Sequence, residues 1–216
     1  VNKLLSVTGA KESLASLTSD RDVNHYKKKQ TIYNEGNRAS RLFYIQKGKV
    51  KTYKTNDDGK ELVVDLYNEG DFLGYVALLE EGAYKETAEA MEDCELALIP
   101  KADFDELVNT NPVVARRFIQ MLAKDVADKE EQLLKLAYNS LRKKVADALM
   151  SLQKKYKTEA ANFSISISRE NLASIAGTAT ESLIRKLGDF RSEKLIEIKD
   201  GNIVILNEKK LENMLN

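Results

Sequence analysis

Between about residue 24 and residue 99, apolar and polar positions alternate in short runs cut by glycine. TIYNEG, RLFYIQKG, KVKTYKTNDDG, KELVVDLYNEG and DFLG follow one another, and CELALI closes the series. Strand-length alternation with turn residues at this spacing predicts a β-sandwich or barrel. Asp58-Gly59 predicts a tight hairpin turn within it, because both residue types tolerate positive φ. The period then changes. KADFDELVN reads as a short helix, and Asn111-Pro112 opens a longer one reaching to about Leu136 or beyond. Proline suits a first turn, where its missing N–H is not needed. Residues 112–138 would form a rod of about 40 Å at 1.5 Å per residue. Val114, Phe118, Met121, Leu122 and Val126 make an apolar stripe on it; Ile119, Ala123 and Ala127 widen the stripe, and Leu133, Leu134 and Leu136 resume it. So long and wide a stripe predicts two neighbours, the barrel and a second copy of the helix, with Val114, Phe118, Met121, Leu122, Val126 and Leu133 as the dimerisation set. An internal core helix is the other use of the same pattern.

Past residue 139 the pattern is mixed. SLRKKVADALMSLQKKY is amphipathic, with Val145, Leu149 and Leu152 on one side and Lys143, Lys144, Lys154 and Lys155 mostly away from it. In SRENLASIAGTATESLIRKLGDF, Ser168 predicts an N-cap, Glu170 complements the helix dipole, and Gly177 ends the first helix. Thr178-x-x-Glu181 matches a capping box for the second. Two short helices joined by a tight glycine turn make a helix-turn-helix. At 100° per residue, Leu183, Leu187 and Phe190 turn inward, while Glu181, Ile184, Arg185 and Gly188 cluster opposite them, with Thr180 at the edge. LIEIKDGNIVIL then alternates across Asp200-Gly201, which predicts a small hairpin, or wing.

The outer face of the second helix has the chemistry of a base reader. Arg185 offers a bidentate pair to guanine O6 and N7, Glu181 accepts from cytosine N4, and Thr180 and Ile184 meet a thymine methyl. Ser168, Arg169, Ser182 and Lys186 flank that face and suit phosphate, and Thr178, with Lys199 and Asn202 near the tip of the wing beside the helices, completes the expected DNA-binding set. Set against this, Glu181 can simply cap its own helix and Arg185 can be a solvated charge.

Composition narrows the class. The 216 residues are 43% hydrophobic and 31% charged, an ordinary globular balance that fills a core. The formal net charge is zero, but residues 1–138 hold 20 basic against 24 acidic side chains and residues 139–216 hold 14 against 10. A basic C-terminal part suggests an anionic partner there. No apolar run approaches the length of a membrane span, and VNKLLSVTGAKESLASL lacks the apolar centre of a signal peptide. One cysteine, Cys94, fits a reducing cytoplasm and excludes an internal disulfide; one histidine, His25, excludes a histidine-rich metal site. The chain begins with valine, as a trimmed protein or the tail of a longer one would.

With those residues placed, the chain resembles the Crp/Fnr family of bacterial transcription regulators across about residues 24–210. The sensor side of the likeness rests on GDFLG, ALLEEG and EDCELALIPKADFDELVNTNP, and the DNA side on ISRENLASIAGTATESLIRKL. The resemblance implies an α+β chain in three parts. Residues 1–110 would be a double-stranded β-helix (jelly-roll) sensor, 111–138 a dimerisation helix, and 139–216 a winged helix-turn-helix. It also implies a homodimer on a near-palindromic operator, with contacts to RNA polymerase. The pocket positions it gives are Gly74, Tyr75, Val76, Tyr84, Lys85, Lys129 and Glu130. In members that bind cyclic AMP, the residue at Tyr75 is a glutamate for the ribose hydroxyl. Counting back from Cys94, Tyr84 and Lys85 stand where those members carry an arginine and a serine for the cyclic phosphate. Lys129 and Glu130 stand where their dimer helix offers hydroxyls to adenine. Tyrosine supplies neither the carboxylate nor the guanidinium, so cyclic AMP is not the expected effector and none other is identified. No cofactor is expected: an iron–sulfur cluster needs several cysteines, and His25 is a poor lone haem ligand. Many relatives place an arginine at Thr180, so a different preferred operator is expected.

Two other classes remain to be separated. An enzyme on a jelly roll needs clustered histidine and carboxylate ligands, which one histidine cannot supply. A protein-interaction module that no longer binds DNA would leave Arg185 without a base to read. A constitutive regulator driven by an upstream domain is the remaining form of the regulator.

Overall fold

The computed structural model describes Thr18 and residues 21–156 and 163–215. The segment VNKLLSVTGAKESLASL lies outside the described residues. The chain divides into two compact units. One runs to Lys54 and adds Val64–Asp128; the other joins Thr55–Val63 to the chain from Lys129 onward.

The predicted alternation folds as two four-stranded sheets, which lie in the first unit apart from Thr55 and Glu61–Val63. The strands are β1 (Val23–Tyr26), β2 (Thr31–Tyr33), β3 (Arg41–Lys47), β4 (Val50–Thr55), β5 (Glu61–Tyr67), β6 (Phe72–Leu73), β7 (Thr87–Ala90) and β8 (Cys94–Pro100). They order as β1-β8-β3-β6 and β2-β7-β4-β5, and β1–β8, β3–β8, β3–β6, β2–β7 and β4–β7 pair antiparallel. The inward positions form the core: Leu42, Ile45, Val50, Leu73, Ala88, Leu96 and Ile99 are fully buried. A short helix, α1 (Tyr75–Leu79), sits between β6 and β7 in sequence, and α2 (Lys101–Thr110) follows β8.

The Asp58-Gly59 turn is not the two-residue turn expected. Strands β4 and β5 end at Thr55 and Glu61, and Asn56 accepts from the Gly59 N–H at 2.9 Å while its own N–H donates to Lys60 at 3.0 Å. Only Gly59 takes positive φ (75°); Asp58 does not. The Asn56 side chain also accepts from the Lys60 N–H (2.8 Å), which favours a wider turn opened by an asparagine.

The long helix is α3 (Pro112–Tyr138), 27 residues. Asn111 caps it: its Oδ1 accepts from the Val113 and Val114 N–H groups at 3.1 and 3.3 Å. That is the physical content of the Asn-Pro signal. The stripe on α3 divides differently from the expectation. Val114 and Phe118 are buried in the barrel core of their own chain, so they are not free to form a dimer face. Phe118 lies edge-on to Phe104 (5.0 Å between ring centroids) and 6.1 Å from Phe72. Met121 and Leu122 pack partly against the same core. Their apolar period matched the barrel, and sequence spacing alone does not say which neighbour a stripe meets. Ile119, Val126 and Leu133 are exposed and recur every seven residues.

In the second unit, α4 (Leu141–Tyr156) buries Val145, Leu149 and Leu152 as expected. It packs against α5 (Arg169–Ala176) and α6 (Thr180–Ser192). The wing is β9 (Ile196–Lys199) with β10 (Asn202–Ile205), pairing Ile196 with Ile205 and Ile198 with Ile203. Asp200 and Gly201 both have positive φ (49° and 80°), the turn whose twist matches a hairpin. Ile165 adds a third edge: its N–H donates to Ile203 at 2.8 Å and its carbonyl accepts from Ile203 at 3.0 Å. The alternation of Phe163, Ile165 and Ile167 with serines is the sequence signal of this bridge, absent from the expectations above. A last helix, α7 (Glu208–Glu212), is capped by the Asn207 side chain.

Candidate functional site

The helix-turn-helix is set by local chemistry. Ser168 Oγ accepts from the Asn171 N–H at 3.1 Å and fixes the start of α5. At the other end Gly177 is left-handed (φ 60°, ψ 45°), and the Thr178 N–H returns to the Ala173 carbonyl at 3.0 Å. This six-residue closure stops the helix, and only glycine adopts it without strain. A Cβ there would lie 2.7 Å from Leu136 Cδ2.

The expected capping box does not form. The N-cap of α6 is Ala179, with no side-chain cap, so Thr178 stands one residue too early and Glu181 lies within the first turn. The closure onto Ala173 takes up the Thr178 N–H. Leu183, Leu187 and Phe190 are buried beneath α6 as expected. Glu181, Ile184, Arg185 and Gly188 are all exposed, and Ile184 keeps 52% of its surface in solvent. About half of this apolar side chain is thus left outside the core.

The flanking polar residues are partly committed. Arg185 Nη2 stands 3.4 Å from Ser182 Oγ, a loose contact that leaves most of its fork unused. Lys186 pairs with Asp189 at 2.7 Å, and that lysine holds the Asp189 carboxyl below its usual range. Lys199 pairs with Glu197 at 3.0 Å. Arg169 donates from Nη2 to the Gly201 carbonyl at 3.0 Å, tying the start of α5 to the wing turn; its Nη1 is buried with no partner. Asn202 and Thr180 are half-buried, as is Thr178.

The sensor positions are mostly closed. Tyr75 is buried, and its hydroxyl donates to the Asp125 carboxylate on α3. Burial first, then that hydrogen bond and the Asp125 charge, push its hydroxyl far above the usual tyrosine range. Tyr84 is buried against Tyr33, ring centroids 3.9 Å apart at 18°, and donates to the Arg41 carbonyl at 2.9 Å. Gly74 allows this approach, since a Cβ on it would stand 3.2 Å from Tyr84 Cε1. Lys85 is exposed and pairs with Glu80 at 3.4 Å; Val76 is exposed. Lys129 and Glu130 belong to the second unit, half-buried and exposed respectively. Tyr84 and Tyr75 are therefore engaged with protein groups, and neither offers what a cyclic phosphate or a ribose diol needs. Cys94 is buried, its Sγ 3.3 and 3.1 Å from the Lys49 and Glu92 carbonyls, and burial pushes its thiol up. Among the described residues there is no cluster of histidine, cysteine and carboxylate suited to a metal, and no helix is long and apolar enough to cross a membrane.

Comparison with known proteins adds to this geometry. Residues 23–111 match the cyclic nucleotide-binding domain and residues 143–214 the Crp-like helix-turn-helix domain. The chain is 29% identical over 186 residues to the cAMP-activated global transcriptional regulator CRP of Salmonella typhimurium, covering 85% of this chain and 89% of that protein. It is 27% identical over 189 residues to the cyclic AMP receptor protein of Thermus thermophilus, covering 88% and 86%. FixK2 from Bradyrhizobium japonicum superposes with a TM-score of 0.81 at 23% identity, covering 91% of this chain and 98% of that one. The c-di-GMP responsive regulator CLP of Xanthomonas campestris superposes with a TM-score of 0.78 at 22% identity, covering 91% and 98%. At those identities the two structures establish the shared fold. The curated relatives are transcription regulators, not enzymes.

Proposed function

The chain belongs to the Crp/Fnr family of DNA-binding transcription regulators, with a sensor domain and a Crp-like helix-turn-helix, and from this we propose the following reading. Two copies join along α3 through Ile119, Val126 and Leu133, whose seven-residue recurrence and exposure suit a coiled-coil seam. The dimer presents two α6 helices about 34 Å apart to successive major-groove turns of a near-palindromic operator. Arg185 reads a guanine, Glu181 accepts from a cytosine, and Ile184 and Thr180 meet thymine methyls. Ser168, Thr178, Ser182, Lys186, Lys199 and Asn202 face the backbone, and Arg169 sets the wing against α5. Residues 111–138 act as the dimerisation helix between a sensor ending near residue 110 and a DNA-binding domain starting near 139. The protein works in the cytoplasm, where its DNA is, and touches RNA polymerase as its relatives' class implies.

The observation that carries this reading is the exposed Glu181–Ile184–Arg185–Gly188 face on a helix launched by left-handed Gly177. Cyclic AMP is not the effector, a reading supported by Tyr75 bonding Asp125 and Tyr84 stacking on Tyr33. Selection of bound duplexes from a random pool, with Arg185→Ala as control, tests the reading. A palindromic motif that loses one defined base pair in the control is expected. A pool that stays random refutes sequence-specific binding.

A further inference from the structure

Glycine is the poorest helix former after proline, because it gives up the most backbone freedom on folding. Gly188 nevertheless sits inside α6, four residues before its end. The usual reasons for a glycine are absent. Its backbone is helical, without positive φ. Among the described residues, a Cβ built on it meets no atom within 4 Å, and the position is exposed. Nothing in the folded chain calls for the missing side chain, so its cause lies in what approaches α6 from outside.

At 100° per residue, Ile184, Gly188 and Arg191 fall within about 60° of one another along one edge of α6. Ile184 is half in solvent and Arg191 is exposed. The positions three and four residues from Arg191 are Leu187, Gly188, Lys194 and Leu195, none of them acidic. The two carboxylates nearest in sequence are engaged elsewhere, Asp189 with Lys186 at 2.7 Å and Glu193 with Arg142. Among the described residues, the Arg191 guanidinium forms no ion pair or hydrogen bond. The Lys186 flank of α6 is thus neutralised by its own partner, while the glycine edge carries an unmatched cation.

We infer that the Ile184–Gly188–Arg191 edge lies against one sugar–phosphate strand of the operator. The Arg191 guanidinium bonds a backbone phosphate, and the gap at Gly188 admits the strand to the helix backbone. This rests on the reading of α6 as the base-reading helix and extends it to the C-terminal half. A helix with its side chains is about 10–12 Å across and the major groove about 12 Å wide, so α6 fits only where its flanks are small. Arg191 stands six residues beyond Arg185, about 9 Å along the axis. With the N-terminal turns of α6 over the base edges, that distance takes Arg191 out to the phosphates at the rim. Its planar fork suits two phosphate oxygens at once. Such a contact carries no sequence information, but it fixes the tilt at which Glu181, Ile184 and Arg185 meet the bases.

The test uses the full chain and the duplex selected from a random pool, with binding followed from about 50 to 200 mM salt. Arg191→Gln should weaken all duplexes alike, about fivefold or more, and lower the salt slope by about two, one phosphate for each copy in a dimer. Arg191→Lys should keep the slope. Gly188→Ala should raise Tm by about 2–4 °C, as a better helix former does, while weakening the operator about tenfold. Lys28→Gln, in the first unit, removes an equal charge and serves as the control. An unchanged slope in Arg191→Gln overturns the inference, and a lower Tm in that variant would then leave Arg191 as a partner of the helix dipole alone. Lys28→Gln lowering the slope as much also overturns it, as does Gly188→Ala binding as tightly as the wild type. A wild-type chain with no preferred duplex refutes base reading instead, and the slopes on random duplex then decide the Arg191 contact by itself. Failure to bind any duplex sinks both.

Discussion

The outer face of α6 and the interior of the barrel are both built from polar side chains on regular elements, yet they follow opposite rules. On α6 the apolar residues Leu183, Leu187 and Phe190 satisfy the core, and the opposite side is left to solvent with Arg185 and Glu181 extended from it. Each of those residues keeps its own chemistry, because water screens it from its neighbours. In the barrel, Tyr33, Tyr75 and Tyr84 are buried together, and each is defined by what it touches: a ring, the Asp125 carboxylate, the Arg41 carbonyl. An exposed face is therefore a sum of residues, while a buried interior is a property of their arrangement. Substitutions in the two regions should separate stability from recognition.

The largest effect is expected inside. Phe118→Ala removes a ring locked against Phe104 and Phe72 and should cost about 3–5 kcal/mol, read as a lower denaturant midpoint of the sensor transition. Base preference of the remaining folded protein should not change. Arg185→Ala is the mirror case. It should cost about 1–3 kcal/mol of discrimination at one base pair, measured by competition gel shift, with thermal stability unmoved. If both variants altered stability and specificity together, the distinction between the regions would fail.

Gly177→Ala tests the link between them, since it strains a backbone in order to aim a surface. A left-handed alanine should cost about 1–2 kcal/mol in chemical denaturation. It should also weaken all operators alike rather than change the preferred base. The smallest effect belongs to Arg169→Gln, expected to cost about 1 kcal/mol through the lost bond to Gly201. Faster hydrogen exchange at the wing turn, with a nearly unchanged salt slope of DNA binding, would mark Arg169 as a brace. A slope lower by about one charge would mark it instead as a phosphate contact.

Legibility followed the same division. Strand alternation, the Asn111-Pro112 helix start, the Gly177 turn and the Asp200-Gly201 wing were readable because each is decided within a few residues by backbone preference. The errors came where two local solutions compete. Thr178 had the spacing for a capping box, but the return of its N–H to Ala173 moved the cap to Ala179. Asp58-Gly59 had the composition of a two-residue turn, but the Asn56 side chain made a wider one cheaper.

By itself, the sequence determined the order of elements, the helix-turn-helix with its outward arginine, and the absence of a carboxylate or guanidinium at Tyr75 and Tyr84. Only the tertiary structure decided that Val114 and Phe118 serve the barrel while Ile119, Val126 and Leu133 stay open, and that Tyr33, Ala88 and Thr52 line up across three strands. The reason is physical. Local preferences depend on neighbours along the chain, whereas the partner of an apolar stripe or a buried hydroxyl is chosen by whichever distant surface arrives to exclude water.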